Sequence, residues 1–342
     1  MKKRALVAIA IAVVLLALFV VAVGWEEVLN ALARASGRIY LLAIVATGVG
    51  LLCRSLVWHR LLTIVDRPRP YWLVTGLFLT SMFGKYVAPY GQVASGVGVA
   101  ALVSRYYDSA YEEALAAVVS ADFINYLPYY TLGSVGLGYV VLVYSPPIGV
   151  GQYVPMVAAV IVGLLVLVAL LWVNRKVIGE SLLGVSTALG RLLERFAPRR
   201  ARHFRRRNVT KRFDGFYTTL DLVSRDRRAI GLVCVYAHVG WLMYAAVLYI
   251  SAVAIGQPIP FGVAMLAVAL SKVGFVVPTP GGLGGVEAAL AGALVVLLPM
   301  SGAIAVAIAL LYRLGTYWFT ILVGGIASIL LSLKDPLPPE TN

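Results

Sequence analysis

The chain has 342 residues, of which 61% are hydrophobic and 13% are charged, and its formal net charge is +14. With a mean hydropathy of +0.90 and several apolar runs of bilayer length, this composition excludes a soluble globular domain and predicts a polytopic membrane protein. The positive charge is typical of Lys and Arg retained in cytoplasmic loops and does not indicate nucleic-acid binding. Cys53 and Cys234 lie in apolar runs, without the spacing of a metal site or a disulfide framework.

The N-terminus is a short basic segment followed by an apolar run over residues 5–24. This run is longer than the core of a cleavable signal peptide, and no clear A-x-A site follows it. We therefore expect a retained first span with its N-terminus in the cytoplasm. A short interfacial helix is expected over residues 25–38 and a second span over residues 39–62. This second span contains Arg54, which can either extend to the membrane surface or contact a substrate.

The next part of the chain alternates apolar arms with polar connections. Residues 71–103 comprise two short apolar arms on either side of an elbow that contains Pro89 and Gly91. Residues 114–144 form an apolar run longer than one span with Pro128 inside it, which predicts a long kinked helix or two shorter pieces. A further span is expected over residues 153–173.

Residues 174–228 form the only long hydrophilic segment of the sequence, and it is rich in arginine. The positive-inside rule predicts that this segment is a cytoplasmic loop. Its charge favours contact with anionic lipids of the inner leaflet, and it could also dock a partner enzyme.

A second elbow, Pro278-Thr-Pro-Gly-Gly-Leu-Gly-Gly-Val-Glu287, interrupts the apolar run that begins at Phe261. Two prolines and four glycines within nine positions do not continue a helix. The flanking arms are short for a hydrocarbon core of about 30 Å, so the pattern predicts two half-helices that meet inside the membrane. Exposed backbone at such a depth lines a cavity or is buried in protein. The elbow residues predicted for this site are Pro278, Pro280, Gly281, Gly282 and Gly284.

The two elbows occur in similar contexts, since Tyr86-Val-Ala-Pro89-Tyr-Gly91 is similar to Phe275-Val-Val-Pro278-Thr-Pro-Gly281. The first hairpin is expected to enter from the cytoplasm and the second from outside, which predicts an inverted repeat over residues 72–145 and 261–332. The predicted fold is an all-α polytopic membrane protein with about six full spans, two re-entrant broken-helix hairpins and both termini in the cytoplasm. It forms a single domain over residues 1–334, followed by a short tail, residues 335–342.

Several charged side chains lie inside the predicted membrane segments, where a charge costs about 2.5–3.5 kcal/mol on insertion scales and marks a candidate site. We expect them to face one interior cavity and to bind substrate together with Arg54. Structural pairing is a compatible alternative, because Glu287 can cap its half-helix and pair with Arg313, and Asp122 can pair with Lys85. The charged residues are Lys85, Asp122, Lys272, Glu287 and Arg313.

The sequence contains no G-x-S-x-G, no G-x-x-x-x-G-K-[ST] and no His/Glu/Cys cluster with metal spacing. We therefore expect neither an enzyme nor a metal or cofactor site. An intramembrane transferase is the least favoured class.

The C-terminal half resembles a known family. The 278–287 elbow, followed by Leu311-Tyr-Arg313 and Tyr317-Trp318, resembles the signature of the lysylphosphatidylglycerol synthase transmembrane-region family, the flippase-like membrane domain of multiple peptide resistance factors. The resemblance covers nearly the whole chain. In the first half it is carried by Arg54, Trp58, the Pro89–Gly91 elbow and Asp122.

Two departures from the family pattern limit what the resemblance implies. The family often carries an acidic residue just after the first elbow, where this chain has Gln92. The synthase proteins also add a cytoplasmic aminoacyl-transfer domain, which we do not expect here, so lysine transfer is not expected from this chain alone.

The resemblance implies a multi-pass protein of a prokaryotic cell membrane whose partners are membrane lipids. It implies a lipid flippase that moves an anionic phospholipid or a polyprenyl-phosphate-linked lipid between leaflets. The alternative is a non-transporting membrane subunit that docks or regulates a lipid-modifying enzyme or a glycosyltransferase.

Overall fold

The computed structural model describes residues 24–65, 68–87, 99–100, 102–107, 111–144, 227–277 and 279–334. Within these ranges the regular structure is helical and contains no strand. The α-helices are α1 (Trp25–Ala33), α2 (Gly37–Val65), α3 (Tyr71–Val87), α4 (Tyr111–Tyr139), α5 (Arg227–Ala254), α6 (Phe261–Leu270), α7 (Gly285–Leu297), α8 (Gly302–Arg313) and α9 (Phe319–Lys334). Residues 99–100 and 102–107 are also helical. Two π-helical turns, Val140–Tyr144 and Leu314–Trp318, and two 3₁₀ turns, Ser271–Val276 and Pro280–Gly282, complete the elements.

Five helical segments of the described chain are long and apolar enough to cross a membrane. The prediction of an all-α polytopic membrane protein is therefore confirmed. The number of crossings, the inverted repeat and the cytoplasmic termini stay predictions. The five segments are Gly37–Thr63, Ala117–Tyr144, Arg228–Ala254, Pro280–Leu297 and Gly302–Leu333.

Several sequence-based predictions fall outside the described residues. These are the first span (residues 5–24), the first elbow with Pro89 and Gly91, the span over 153–173, the basic segment over 174–226, Pro278, and the tail over 335–342.

Helices α2 and α5 pack against each other over much of their length. Small residues allow this close approach: a Cβ atom added at Gly50 would lie 3.1 Å from the backbone oxygen of Gly240. Close helix crossings at small residues are typical of membrane interiors, where packing replaces the hydrophobic effect between helices. This crossing brings the α2 residue Arg54 against α5, since a Cβ atom at Gly240 would lie 2.7 Å from Cγ of Arg54.

Two long apolar runs of the sequence end or continue in π turns, which the sequence did not predict. The run with Pro128 is one long helix, the first of the two predicted alternatives, and it continues as a π turn to Tyr144. The last predicted span is interrupted by the π turn Leu314–Trp318. Inside and just after this turn, the hydroxyls of Thr316 and Thr320 donate to carbonyl oxygens four residues earlier, which competes with regular helix geometry.

The short helix predicted over residues 25–38 spans only Trp25–Ala33, and it packs against α8. Val28 is buried in this contact, whereas Trp25 and Leu29 are exposed. The helix is therefore anchored to the body of the protein by one side of its surface.

The described helices enclose two large apolar clusters. One contains Trp241, Tyr244 and Tyr312 with most of α6 to α8, and the other contains Met82 with α3 and the adjoining half of α4. Side chains of both clusters line one cavity that also contains charged groups. The candidate site therefore lies where the two halves of the core meet.

Candidate functional site

The second elbow breaks the helix between Val276 and Gly285, as its prolines and glycines predict. Three glycines have positive φ angles: Gly281 at 57°, Gly282 at 67° and Gly284 at 82°. These conformations are strained for residues with a Cβ atom. The turn is closed by Thr279, whose hydroxyl donates to the carbonyl oxygen of Leu283 over 2.8 Å.

The two arms of this elbow lie side by side. The 3₁₀ turn Ser271–Val276 contacts α7, and α6 also contacts α7. A Cβ atom at Gly274 would lie 2.3 Å from the backbone carbon of Gly285, so glycine is required for this approach. Residues 261–297 therefore form a helical hairpin with the elbow at its tip.

Glu287 and Arg313 form a buried ion pair at the elbow. Nε of Arg313 donates to Oε1 of Glu287 over 2.7 Å, and the backbone N–H of Gly284 donates to Oε2 over 2.8 Å. Nη2 of Arg313 also donates to the carbonyl oxygen of Gly281 over 2.9 Å. The two structural roles expected for Glu287, a cap on its half-helix and a counter-ion for Arg313, are thus both present.

Tyr317 lies in the π turn and contacts both the elbow and the end of α3. Its ring lies against Gly281, where an added Cβ atom would be 2.1 Å from Cε2 of Tyr317. Its hydroxyl lies 3.3 Å from the carbonyl oxygen of Pro280 and 3.4 Å from that of Tyr86, the residue that follows Lys85 in α3. The tip of the hairpin and the end of α3, which leads into the first predicted elbow, are therefore in contact.

Lys85 and Asp122 form a second ion pair, between α3 and α4. Nζ of Lys85 lies 2.5 Å from Oδ2 of Asp122, and Nε1 of Trp58 donates to Oδ1 over 3.3 Å. Lys85 is buried and Asp122 is only partly exposed. This pair confirms the alternative in which the two residues neutralise each other.

Arg54 does not extend to the membrane surface. Only 4% of its surface is exposed, and its guanidinium lies 5.6–5.7 Å from the ring centroids of Phe78, Trp241 and Tyr244. Its Nη1 donates to the hydroxyl of Tyr244 over 3.3 Å, whereas its buried Nε has no hydrogen-bond partner in the described part of the chain. The snorkelling alternative is therefore wrong, because the helix crossing with α5 surrounds this position with aromatic rings.

Lys272 lies in the 3₁₀ turn that leads into the elbow. Its Nζ is 4.7 Å from the ring centroid of Trp241 and 5.0 Å from that of Phe275. Cation–π contacts of this kind stabilise a positive charge without neutralising it. The indole ring of Trp241 thus contacts the cationic groups of both Lys272 and Arg54.

A cavity of about 390 Å³ lies between these elements. Four basic side chains line it, and the rest of its wall is largely aromatic. The lining residues are Arg54, Met82, Lys85, Tyr86, Tyr126, Tyr129, Tyr130, Trp241, Tyr244, Ser271, Lys272, Val273, Phe275, Val286, Tyr312, Arg313 and Thr316.

The charges of this cavity do not balance within the described part of the chain. Lys85 and Arg313 are each paired with a carboxylate, but Arg54 and Lys272 are not paired with any carboxylate of the described residues. Asp122 and Glu287 were expected to face the cavity, yet they do not belong to its lining and are bonded to its cations instead. The site therefore presents excess positive charge in a low-dielectric interior, where it attracts an anion strongly.

The tyrosines of the wall are not among the site residues predicted from the sequence. Tyr126, Tyr129 and Tyr130 follow one another at helical spacing on α4, and Tyr312 precedes Arg313. The i, i+3, i+4 spacing was visible in the sequence, but aromatic residues in an apolar helix more often serve packing. Only the charged residues around them distinguish this face from ordinary core.

Among the described residues, no group of three or more His, Cys, Asp or Glu side chains is placed to hold a metal ion. The guanidinium and ammonium groups of the cavity only donate hydrogen bonds, whereas its phenol and other hydroxyl groups can both donate and accept. This set is suited to an anionic ligand.

Comparison with known proteins identifies the family. The model of the family described as the lysylphosphatidylglycerol synthase TM region matches residues 5–324, nearly the whole chain. The chain belongs to this family. The family membership gives the protein a membrane setting and a role related to lipids. None of the curated proteins compared with the chain matches it significantly.

Proposed function

We propose that this member of the family is a flippase that moves a lipid with an anionic headgroup between the leaflets. One observation carries the proposal: a cavity of about 390 Å³ between membrane-spanning helices is lined by four cations, two of which lack a carboxylate partner in the described chain. An ionised side chain inside a membrane is costly and marks a substrate pathway by default. An anionic headgroup would neutralise Arg54 and Lys272, while its tails stay in the hydrocarbon.

The four cations have two different roles in this proposal. Lys85 and Arg313 are held by Asp122 and Glu287, so they shape the cavity and connect its elements. Arg54 offers planar guanidinium donors that match the oxygens of a phosphate, and Lys272 offers a compact charge in the turn that leads into the elbow. The buried Nε of Arg54 has no hydrogen-bond acceptor among the described residues, which is consistent with a site that needs a further acceptor.

The geometry around the elbow supports a repeat built from re-entrant hairpins. The second arm, α7, is about 20 Å long at 1.5 Å per residue, which is short of a hydrocarbon core of about 30 Å, and only with the elbow turn does Pro280–Leu297 reach the length of a span. Each elbow also has one ion pair that joins a residue next to it to the helix that follows, Lys85–Asp122 at the first elbow and Glu287–Arg313 at the second. In transporters of this type, one repeat rocks against the other around a central site.

The experiment is lipid scrambling in proteoliposomes that contain the full chain. Fluorescent phosphatidylglycerol, polyprenyl phosphate and phosphatidylcholine are compared by the rate at which an external quencher removes the inner-leaflet signal. We expect the two anionic lipids to move faster than phosphatidylcholine and faster than in empty liposomes. Arg54→Gln and Lys272→Gln should each slow this movement about tenfold or more, because a hydrogen bond to a charged group contributes about 1.5–3 kcal/mol.

Arg34→Gln is the matched control, since Arg34 is exposed beyond the end of α1 and away from the cavity. Movement of no lipid by the wild-type protein would refute the flippase, as would wild-type rates in both cavity variants. A lipid-modifying enzyme or glycosyltransferase that copurifies with such an inactive protein would favour the alternative, a docking subunit. The proposal assigns no catalytic step to the chain.

A further inference from the structure

The cavity has two chemically different walls. On α4, Tyr126, Tyr129 and Tyr130 occupy one face of the helix at i, i+3 and i+4. Their rings continue into the opposite wall, because the ring centroid of Tyr129 is 5.9 Å from that of Trp241 and that of Tyr126 is 6.3 Å from it. An aromatic surface therefore runs across the cavity next to the cations.

The opposite wall holds the positive charge. The Trp241 ring carries both Arg54 and Lys272, at 5.6 and 4.7 Å from its centroid, so the two charges are no more than about 10 Å apart. A phosphate placed between them would contact both groups or reach them through water. The remainder of the headgroup would then face the tyrosines of α4.

Two phenol hydroxyls of this wall are available to a ligand. Those of Tyr129 and Tyr130 form no hydrogen bond within the part of the chain that the structure describes. Each phenol can both donate and accept a hydrogen bond. Hydroxyl groups of a ligand would satisfy them, while the flat rings cover the apolar faces of a sugar or a glycerol chain.

The described lining offers no free carboxylate to a positively charged headgroup. No Asp or Glu of the described residues belongs to the lining, and the two nearby carboxylates are already bonded to Lys85 and Arg313. An ammonium group in this cavity would lie among four cations, and their repulsion opposes the cation–π attraction of the aromatic rings. Like-charge contact of this kind is an effective way to reject a ligand.

We propose that the cavity binds a phosphate ester with a neutral, polyhydroxylated headgroup, either glycerol or a single sugar, and rejects the same lipid once it is aminoacylated. The cavity volume lies near the lower end of the range of small-molecule sites, about 300–1,000 Å³, which fits one such group beside a phosphate. The family is named for a lysylated lipid, and this chain has the opposite preference. The inference rests on the proposed function for the route of the lipid, but the preference itself is a property of binding.

The test is calorimetric binding to the purified full chain in detergent, with short-chain lipids as probes. Dihexanoyl phosphatidylglycerol, its lysylated form, dihexanoyl phosphatidic acid and a hexyl glucosyl phosphate are compared. We expect phosphatidylglycerol or the glucosyl phosphate to bind at least tenfold more tightly than the lysylated lipid and several-fold more tightly than phosphatidic acid. The better of the two identifies the headgroup.

Tyr130→Leu tests the aromatic wall at a position that is 40% exposed, so the change leaves no large hole in the core. This substitution should weaken the binding of phosphatidylglycerol or the glucosyl phosphate to the level of phosphatidic acid, whose own affinity should not change. Tyr130→Phe should remove only part of that difference in affinity. Tyr249→Leu is the matched control, since Tyr249 is 37% exposed and packs on Phe261, outside the cavity.

Equal or tighter binding of the lysylated lipid overturns the proposal, and so does binding of none of the four probes. An unchanged rank order in Tyr130→Leu removes the role of the wall. These outcomes are separate from the scrambling assay: a protein that scrambles the anionic lipids but binds the lysylated probe best refutes this inference and not the flippase, whereas the expected binding order without scrambling refutes only the flippase.

Discussion

Arg313 donates a hydrogen bond from Nε to Oε1 of Glu287 over 2.7 Å, and the carboxylate is completely buried. The same pair connects α7 to α8 and ties both to the elbow, because each side chain also bonds to an elbow glycine. The pair is thus the main polar link between the hairpin and the long helix that follows it.

Glu287→Gln should lower the stability of the protein by about 3–5 kcal/mol, because it leaves the buried guanidinium of Arg313 without its counter-ion. The midpoint of thermal unfolding in detergent measures the effect. Combining Glu287→Gln with Arg313→Met should cost less than the single change, since the uncompensated charge is gone. A single variant that unfolds at the wild-type temperature would contradict this role.

Gly281→Ala should destabilise the elbow. The positive φ angle of 57° costs an alanine about 1–2 kcal/mol, and the new Cβ atom would lie 2.1 Å from Cε2 of Tyr317. Gly292→Ala is the control in the same hairpin: no atom lies within 4 Å of its added Cβ, and alanine in a helix is favoured by about 0.5–1 kcal/mol. The two substitutions should therefore shift the unfolding midpoint in opposite directions.

Tyr317→Phe should lower stability by about 0.5–1.5 kcal/mol, the usual contribution of one hydrogen bond. The phenol has a single proton for two carbonyl oxygens, those of Tyr86 and Pro280, so it satisfies them one at a time. The ring keeps its place against Gly281. Tyr249→Phe, which changes a hydroxyl away from the elbow, should leave the unfolding midpoint unchanged; an equal loss in both variants would show that the elbow contact contributes nothing.

Asp122→Asn should strengthen anion binding, in contrast to Arg54→Gln. Without the carboxylate, Lys85 adds a third uncompensated cation to the cavity wall. We expect binding of dihexanoyl phosphatidylglycerol to tighten about tenfold, equivalent to about 1.4 kcal/mol, at low ionic strength. Calorimetry measures the change, and slower scrambling should accompany it because release becomes harder.

Glu27→Gln controls for the overall charge of the protein, since Glu27 is exposed on α1. It should leave the affinity unchanged. Weaker binding in Asp122→Asn would mean that Asp122 itself contacts the ligand.

The elbow and the ion pairs could be predicted from sequence for different reasons. Two prolines and four glycines break a helix whatever surrounds them, so the break between Val276 and Gly285 follows from local chemistry. The pairs Lys85–Asp122 and Glu287–Arg313 follow from the cost of isolated charges in a membrane, which leaves few partners to choose from.

Arg54 shows why the rest could not be predicted. Its distance from the helix end fits both an interfacial and an interior position, and the decision is made by Tyr244, 190 residues away in the sequence. The cavity wall could not be predicted for the same reason. Tyr129 has the sequence pattern of a core residue, and it becomes part of a site only because basic residues from other helices lie beside it. The π turn has no composition signal that distinguishes it from regular helix.

The π turn Leu314–Trp318 makes the number of residues between α8 and α9 structurally important, in addition to their types. A regular helix rotates by about 100° per residue, so removing one residue from this turn would swing α9 by that angle relative to α8. The face of α9 that meets α3 would then point elsewhere, while Arg313 stayed bonded to Glu287. Insertions and deletions between Arg313 and Phe319 should consequently be far more damaging than substitutions there, and comparisons of relatives should keep this spacing free of gaps.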